Sequence, residues 1–244
     1  MASPLDQFAI KPIVPLSLGR LDLSYTNSAL LMTIAVAIIA TLLVFSVRRR
    51  DLVPGRMQSL SELGYEFIAG MVRENVGDEG RRYFPFVFSI FAFVLCGNLL
   101  GMVPGSFTFT SHIAVTFALA LAIFLIVTVI GFARHGAKFL GLFFPHGAPL
   151  AAAPILIPVE VISYLSRPIS LSIRLCANMT VGHIILKIFA GFVVSLGAFF
   201  VLPGIVPLGI LVGLTALEFF IACLQAYIFT VLSCIYLNDA IHLH

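Results

Sequence analysis

Long stretches without a charged residue constrain this chain more than any other feature of its sequence. No residue is charged from Thr26 to Val47 or from Tyr83 to Ser111, and about 20 consecutive apolar residues suffice for a helix to cross a bilayer. Only 10% of the 244 residues are charged and the mean hydropathy is +1.10, whereas soluble domains carry roughly 25% charged residues. The sequence therefore predicts an all-α integral membrane protein with about five transmembrane helices, which leaves too little chain for a soluble enzymatic domain.

Composition and motifs exclude several classes of function. The net charge is +3 and no basic run is longer than Arg48-Arg49-Arg50, so no surface for nucleic acid is indicated. The four cysteines stand singly without a CxxC pair, which argues against disulfides and zinc. Neither GxxxxGKS/T nor GxGxxG occurs, so the chain has no phosphate-binding loop of its own. The sequence predicts no cofactor and no metal, and the histidines at 242 and 244 are interpreted as a solvated tail.

Charge asymmetry indicates the order and orientation of the segments. The arginine triplet at 48–50 follows the first apolar stretch, and Arg134 and Lys138 follow the third. Because basic residues favour the cytoplasmic side, the N-terminus is predicted outside and the C-terminus inside. Four prolines between 145 and 158 argue against a regular spanning helix there. The predicted segments are an external tail at 1–25, a transmembrane helix at 26–47, an amphipathic helix on the inner face at 51–80, two transmembrane helices at 83–135, a proline-rich connector at 136–158 and a long tilted helical hairpin at 159–244.

Ionisable residues within the predicted hairpin are candidates for function. An arginine at the bilayer centre costs about 2.5–3.5 kcal/mol on insertion scales. The hairpin nevertheless carries ionisable residues within its apolar arms, namely Glu160, Arg167, Arg174, His183, Lys187 and Glu218. Lys187 and Arg167 can be explained as side chains that reach the interface from near the helix ends. This explanation suits Arg174 poorly, so Arg174 is the first candidate for a functional charge.

Helical spacing gathers the polar residues into one seam on each arm. The seam of the first arm consists of Glu160, Arg167, Arg174 and Asn178, and that of the second consists of Glu218, Gln225 and Tyr236. Successive members are four, seven or eleven residues apart, and at 100° per residue these spacings return to nearly the same side of a helix. Both arms therefore present a polar stripe.

The register of the hairpin predicts which polar residues meet. An antiparallel hairpin that turns near residue 200 pairs positions whose numbers sum to about 401, which places His183 level with Glu218 and Arg174 within a turn of Gln225. A histidine and a carboxylate can relay protons, whereas an arginine stays protonated and can only attract a carboxylate and hold it ionised. Glu160 lies about 21 Å from Arg174 along the helix. We therefore expect the carboxylate partner of Arg174 to come from another subunit.

Three stretches of the sequence resemble motifs of one protein family. They are SRPISLSIRLCANM at 166–179 with a Gly-His pair at 182–183, LQAYIF at 224–229 within the segment 218–236, and NLLGMVP at 98–104. These stretches resemble subunit a of the F-type ATP synthase, and the likeness extends over essentially the whole chain in order and topology.

This resemblance implies a stator subunit without a catalytic site of its own, inside a proton-transporting ATP synthase. The implied partners are a ring of c-subunits, subunit b or the peripheral stalk, the remainder of the complex and membrane lipid. Arg174 stands at the place of the family's essential arginine, which faces the ring carboxylate and blocks a proton short-circuit between two offset half-channels. The other positions implied in the proton path are His183, Glu218, Asn178, Gln225, Glu160, Tyr236 and Ser170.

The same resemblance assigns residues to the two half-channels. His183 and Glu218 take the two positions of the outer half-channel, in an order that is exchanged relative to many bacterial members and familiar from mitochondrial ones. Asn178 and Gln225 match the polar neighbours of the arginine, and Glu160 matches an acidic position of the inner half-channel. The transported ion is a proton or a sodium ion, because the selective carboxylate lies on the ring.

Alternatives to this interpretation stay open from the residues alone. A proton-coupled secondary transporter would use the same charges, but the chain shows no inverted repeat and no second acid near Arg174. A haem-carrying subunit would need histidines that face each other across spans, whereas His112, His135 and His183 fall near different depths. A bacterial cytoplasmic membrane is favoured over the mitochondrial inner membrane, because 11 arginines against 3 lysines hint at GC-rich coding.

Overall fold

The chain is built from long helices, as seen in a computed structural model that describes residues 9–15, 17–18, 21–22, 24–48, 55–103, 106–143, 153–197 and 201–242. The helices are α1 (Asn27–Arg48), α2 (Arg56–Val76), α3 (Phe84–Gly101), α4 (Ile113–His135), α5 (Ala153–Gly197) and α6 (Val201–Ile241), with 3-10 turns at Asp78–Tyr83, Phe109–Ser111 and Gly136–Phe143. Within the described residues, 5 helical segments are long and apolar enough to cross a membrane. The predicted all-α membrane fold is thereby confirmed.

A small β-structure precedes α1. Its strands are β1 (Pro12–Val14), β2 (Ser17–Leu18), β3 (Leu21–Asp22) and β4 (Tyr25–Thr26). β1 pairs antiparallel with β4, and β2 pairs antiparallel with β3. Asn27 fixes the junction with α1, because its side chain donates to the Ala9 carbonyl at 3.1 Å and accepts the Lys11 backbone N–H at 3.2 Å. These strands were not predicted, since strands of two or three residues are too short to show alternation of apolar and polar residues.

α2 changes character along its length. Its first turns expose apolar side chains by about half or more, at Met57, Leu60, Leu63 and Phe67, whereas its last turns are buried at Ile68, Met71, Val72 and Val76. The helix ends at Val76 because Gly77 takes φ = 80°, a left-handed conformation that glycine adopts without steric cost. The predicted amphipathic segment at 51–80 therefore contains a shorter helix whose second half belongs to the core.

The main core lies where α2, α3 and α4 pack against α5 and α6. Its fully buried members include Val87 and Val94 of α3, Ile123 and Val127 of α4, Leu171, Leu175 and Met179 of α5, and Ala222, Ala226 and Phe229 of α6. Within each helix these residues are separated by three, four or seven positions, so one face of every helix is buried. The alanines of α6 let neighbouring backbones approach closely, as small residues do in membrane helices.

α5 and α6 are longer than a helix needs to cross a membrane at a right angle. They contain 45 and 41 residues, or about 68 and 62 Å at 1.5 Å per residue, against a hydrocarbon thickness of about 30 Å. Such lengths fit only if the helices tilt strongly or extend beyond the bilayer. They carry the polar residues that the sequence singles out.

The start of α5 corrects the predicted connector at 136–158. The helix begins at Ala153 and contains Pro158 and Pro168, although the prolines argued against helix before residue 159. Pro154 lies in the first turn, where the backbone N–H has no intrahelical partner, and membrane helices tolerate interior prolines. The prolines at 145 and 149 lie outside the described residues.

Candidate functional site

Polar contacts join α5 to α6 at three levels. The contacts are His183 Nδ1 to Glu218 Oε1 at 3.4 Å, Asn178 Nδ2 to Gln225 Oε1 at 2.7 Å and Arg167 Nη1 to Asp239 Oδ2 at 2.8 Å. Residue numbers rise on one helix as they fall on the other, so the helices are antiparallel. The structure therefore brings together the histidine and the glutamate that the hairpin register predicted to meet.

The His183–Glu218 pair is buried. The two residues are 8% and 4% exposed, and a Cβ at Gly182 would lie 2.6 Å from Glu218 Oε1. The carboxylate therefore occupies space that glycine alone leaves open. Neither carboxylate oxygen makes a hydrogen bond to another described residue. Burying an ionised carboxylate without hydrogen bonds is unfavourable, so this environment suits a carboxyl group that gains and loses a proton.

A buried loop between α3 and α4 supplies a further partner of His183. Thr108 Oγ1 lies 2.9 Å from His183 Nε2 and donates to the Gly101 carbonyl at 3.2 Å. A Cβ at Gly101 would lie 2.6 Å from the Thr108 side chain, so this approach also depends on glycine. Thr108 was not among the residues predicted from the sequence. The available signal was a cluster of hydroxyl residues at 106–111, at the end of the charge-free stretch that begins at Tyr83.

The same loop is hydrogen-bonded to α5. The Ser111 carbonyl accepts a hydrogen bond from Cys176 Sγ at 2.9 Å and another from Thr180 Oγ1 at 3.1 Å. Phe109 is 1% exposed and packs with Ala35 of α1 in a second, smaller core. The loop is thus part of the packed structure and holds its hydroxyl groups at fixed positions beside α5.

The amide pair at the next level is linked to α3. Asn178 donates to Gln225, which is only 2% exposed, and Asn98 of α3 donates to the Ala222 carbonyl at 3.1 Å. Gln225 and Ala222 lie on the same side of α6, three residues apart. The asparagine of the NLLGMVP stretch therefore anchors the region of α6 that carries the glutamine.

Arg174 lies on the exposed surface of α5. Ser170 and Asn178, one turn before and after it, are also exposed, and the neighbouring Ile169 and Ile173 are 49% and 47% exposed. Among the residues that the structure describes, no carboxylate forms an ion pair with Arg174. The arginine therefore lies on an exposed part of α5, where polar and apolar side chains alternate, and it is not paired with a described acid of its own chain.

Arg167 occupies a different environment. It forms an ion pair with Asp239, and its guanidinium carbon lies 5.2 Å from the ring centre of Tyr164 and 5.0 Å from that of Tyr236. Tyr164 in turn shares a hydrogen bond of 2.8 Å with Thr128 of α4. The structure places Tyr236 beside this ion pair and not beside Glu218. Asp239 was not predicted as a site residue, because it lies near the end of the last helix, where a charged side chain does not by itself indicate a function.

Glu160 forms no ion pair with the other predicted residues in the part of the chain that the structure describes. It is half-buried on α5, seven residues before Arg167. In the described part of the chain it forms no ion pair. No group of three or more histidine, cysteine, aspartate or glutamate residues there could hold a metal ion.

A cavity connects two of the three polar levels. It has a volume of about 240 Å³ and lies between α5 and α6, where Asn178, Gly182 and Glu218 line it together with apolar side chains. Its polar lining reaches from the amide pair to the buried glutamate. Water or a proton-carrying group in this space would contact Glu218 directly.

Comparisons with known proteins agree along the whole chain. The family model described as ATP synthase A chain matches residues 29–238. The chain is 64% identical to ATP synthase subunit a of Paramagnetospirillum magneticum and 60% identical to that of Rhodospirillum rubrum, with 100% of each chain covered in both cases. It is 54% identical to the Mesorhizobium japonicum protein of the same name, over 98% of this chain and 96% of the relative.

Proposed function

The chain belongs to the ATP synthase A chain family, and on this basis we propose that it is the stator subunit that passes protons between the membrane surfaces and a rotating ring of c-subunits. Its 5 apolar helical segments and its bacterial relatives make it a multi-pass bacterial membrane protein of an ATP synthase complex. It has no catalytic role of its own in this proposal.

The exposure of Arg174 carries this proposal. An exposed guanidinium at the bilayer centre would cost about 2.5–3.5 kcal/mol, and the described residues form no ion pair with Arg174. A carboxylate on a neighbouring ring would remove this cost, because an arginine attracts an acid and favours its ionised form. Arg174 therefore acts as an electrostatic gate that prevents a protonated ring site from passing.

The outer half-channel leads to Glu218 and His183. A proton from the outer side reaches this buried pair and moves through the adjacent cavity, which Asn178 also lines, to the surface that faces the ring. It neutralises a ring carboxylate there. His183 lies about 13 Å from Arg174 along α5 at 1.5 Å per residue, so loading of the ring site is separated from the gate.

The inner half-channel completes the cycle. After the ring has carried the neutral site around, the proton leaves to the inner side near Glu160, as the carboxylate approaches Arg174. Ser170 and Gln225 lie near the gate, and Tyr236 supports the inner end through Arg167. Each proton that crosses 100 mV releases about 2.3 kcal/mol, which the ring transmits to the nucleotide sites of the complex.

Cysteine cross-linking in native membranes tests this proposal. Ser170→Cys places a thiol one turn from Arg174 on the exposed face, and a second cysteine flanks the acidic residue of the c-subunit, after the four native cysteines are replaced. We expect an oxidant to join the two subunits and to stop ATP hydrolysis coupled to rotation. Val129→Cys on α4, where the residue is 65% exposed, is the matched control and should not react with the ring.

A different pattern of cross-links would contradict the proposal that this chain is the stator subunit. If Ser170→Cys and Val129→Cys reacted equally or not at all with the ring cysteine, Arg174 would not face the ring. If the purified chain by itself in liposomes transported a solute down a proton gradient, an autonomous transporter would replace the proposal.

A further inference from the structure

We propose that Thr108 is a positioning residue that holds His183 as its Nε2–H tautomer, so that the unprotonated Nδ1 faces Glu218. Thr108 lies outside the hairpin, 75 residues from His183 in sequence. The inference rests on the proposed function, because it refines how the His183–Glu218 pair exchanges a proton.

The hydrogen bonds of the Thr108 hydroxyl determine the tautomer. A hydroxyl group has one proton to donate and two lone pairs that accept. Thr108 Oγ1 donates its proton to the Gly101 carbonyl at 3.2 Å, and a carbonyl can only accept. The contact of 2.9 Å between Thr108 Oγ1 and His183 Nε2 therefore requires the proton of that bond to belong to the imidazole. In a neutral histidine Nδ1 is then the acceptor.

The loop keeps this geometry in place. Ser111, three residues beyond Thr108, accepts hydrogen bonds from Cys176 and Thr180 of α5, the helix that also carries His183. Its own hydroxyl donates to the Thr108 carbonyl at 2.6 Å. Thr108 is 3% exposed, so water does not compete freely for its hydroxyl. The hydroxyl and the imidazole are thus fixed relative to one another.

This arrangement sets the direction of proton exchange. The O–H bond of a protonated Glu218 breaks as an Nδ1–H bond forms on His183, which leaves a carboxylate beside an imidazolium, and the reverse step restores both neutral groups. The proton on Nε2 could be transferred only to the Thr108 hydroxyl, and the hydroxyl proton in turn only to the Gly101 carbonyl. Transfer ends at this carbonyl, so the Nε2 side offers no exit for a proton. Protons therefore enter and leave the pair on the Glu218 side, where the cavity lies, and His183 serves as a proton store and not as a through-relay.

Three variants in the assembled ATP synthase distinguish the effect of the Thr108 hydroxyl from the effect of its surroundings. Thr108→Val removes the hydroxyl and should lower the initial rate of ATP-driven proton pumping in inverted membranes about tenfold, the effect of losing one buried hydrogen bond of ordinary strength. Thr108→Ser restores the hydroxyl and should pump within about twofold of the unmodified protein by the same reasoning. Thr110→Val is the matched control, because the Thr110 hydroxyl is buried two residues away without a hydrogen bond to any described residue.

A double-mutant cycle distinguishes positioning of His183 from loop packing. With His183→Ala already present, Thr108→Val should change the remaining pumping rate by less than about twofold, since the group that it positions is gone. A full additional tenfold loss in that background would overturn the inference. Equal rates for Thr108→Val and the unmodified protein would overturn it as well.

Nitrogen-15 NMR of histidine-labelled complex reports the tautomer directly. The His183 signal, assigned by its loss in His183→Ala, should show a protonated Nε2 and an unprotonated Nδ1, and Thr108→Val should produce a mixture. A dominant Nδ1–H form in the unmodified protein would refute the assignment. The proposed function fails separately, namely if His183→Ala and Glu218→Gln both pump at the unmodified rate.

Discussion

Arg174 and Leu175 are adjacent in sequence and have opposite environments. Leu175 is 0% exposed in the core, whereas Arg174 lies on the exposed face of α5. A substitution at Arg174 should therefore affect its electrostatic role without disturbing the packing of its own chain.

We expect Arg174→Ala to abolish ATP-driven proton pumping while the complex still assembles. Fluorescence quenching in inverted vesicles measures pumping, and native gels measure assembly. Ile173→Ala, at an exposed neighbouring position, should retain most of the pumping rate. Full pumping by Arg174→Ala would remove the arginine from the gate.

Gly182 tests the position of the Glu218 carboxylate. An alanine Cβ there would lie 2.6 Å from Oε1, so the flexible end of Glu218 must move away from its place beside His183. We expect Gly182→Ala to reduce pumping about tenfold, because the displaced carboxylate would lie farther than the present 3.4 Å from His183 Nδ1, across which the proton moves. The helix itself should not weaken, since replacing glycine by alanine inside a helix stabilises it by roughly 0.5–1 kcal/mol.

Gly191 provides the matched control for this substitution. It lies on the same helix, and a Cβ there would meet nothing within 4 Å. Gly191→Ala should therefore pump normally. Equal pumping by the two alanine variants would show that proton transfer does not depend on the position of the carboxylate.

Among the secondary-structure elements, α5 and α6 are joined at one end by a charged clamp, namely the ion pair between Arg167 and Asp239. Arg167 and Asp239 have side chains that are 24% and 30% exposed, and two tyrosine rings contact the guanidinium. Such a pair is partly shielded from water, so loss of one partner leaves an uncompensated charge. The clamp lies two turns of α5 before Arg174 and holds the helix that presents it.

We expect Asp239→Asn to destabilise the packed hairpin by about 1–2 kcal/mol, the buried-pair value reduced for partial exposure. The apparent unfolding temperature of the subunit in detergent-solubilised complex measures this effect. The exposed pair of Arg73 and Asp78, with side chains 82% and 97% exposed at 4.0 Å, is the control, and Asp78→Asn should leave that temperature unchanged. An unchanged unfolding temperature for Asp239→Asn as well would show that this ion pair does not stabilise the hairpin.

At the scale of the whole molecule, the number of candidate spans and the positions of the basic residues predict the topology of the chain. The 5 segments are separated by basic residues at alternate connections, including Arg81 and Arg82 before α3 and Arg134 after α4. The positive-inside rule predicts that these connections lie on the cytoplasmic side, and an odd number of spans would place the two ends of the chain on opposite sides. We therefore propose an external N-terminus and an internal C-terminus.

Thiol labelling with a membrane-impermeant maleimide tests this topology in a cysteine-free background. Lys11→Cys, at an exposed position, should react from the periplasmic side in cells with a permeabilised outer membrane. His242→Cys, also exposed, should react only in inverted vesicles, as should Lys138→Cys. Labelling of Lys11→Cys and His242→Cys from the same side would contradict the five-span topology.

The sequence by itself determined the all-α membrane class and the meeting of His183 with Glu218. Hydropathy decides whether a segment enters the bilayer, and it is a local property that each stretch carries on its own. The helical period fixes which residues share a stripe, and the position at which a hairpin is predicted to reverse, near residue 200, fixes the register of its arms to within a few residues. These features require no knowledge of more distant contacts.

Only the tertiary structure decided how the remaining side chains meet. Thr108 reaches His183, and Arg167 reaches Asp239, across separations of 75 and 72 residues, and no periodicity encodes such contacts. The exposure of Arg174 likewise depends on which face of α5 packs against α4 and α6, because a stripe read from spacing has no direction until its neighbours are placed. Packing energy depends on pairs of surfaces, whereas sequence patterns describe one surface at a time.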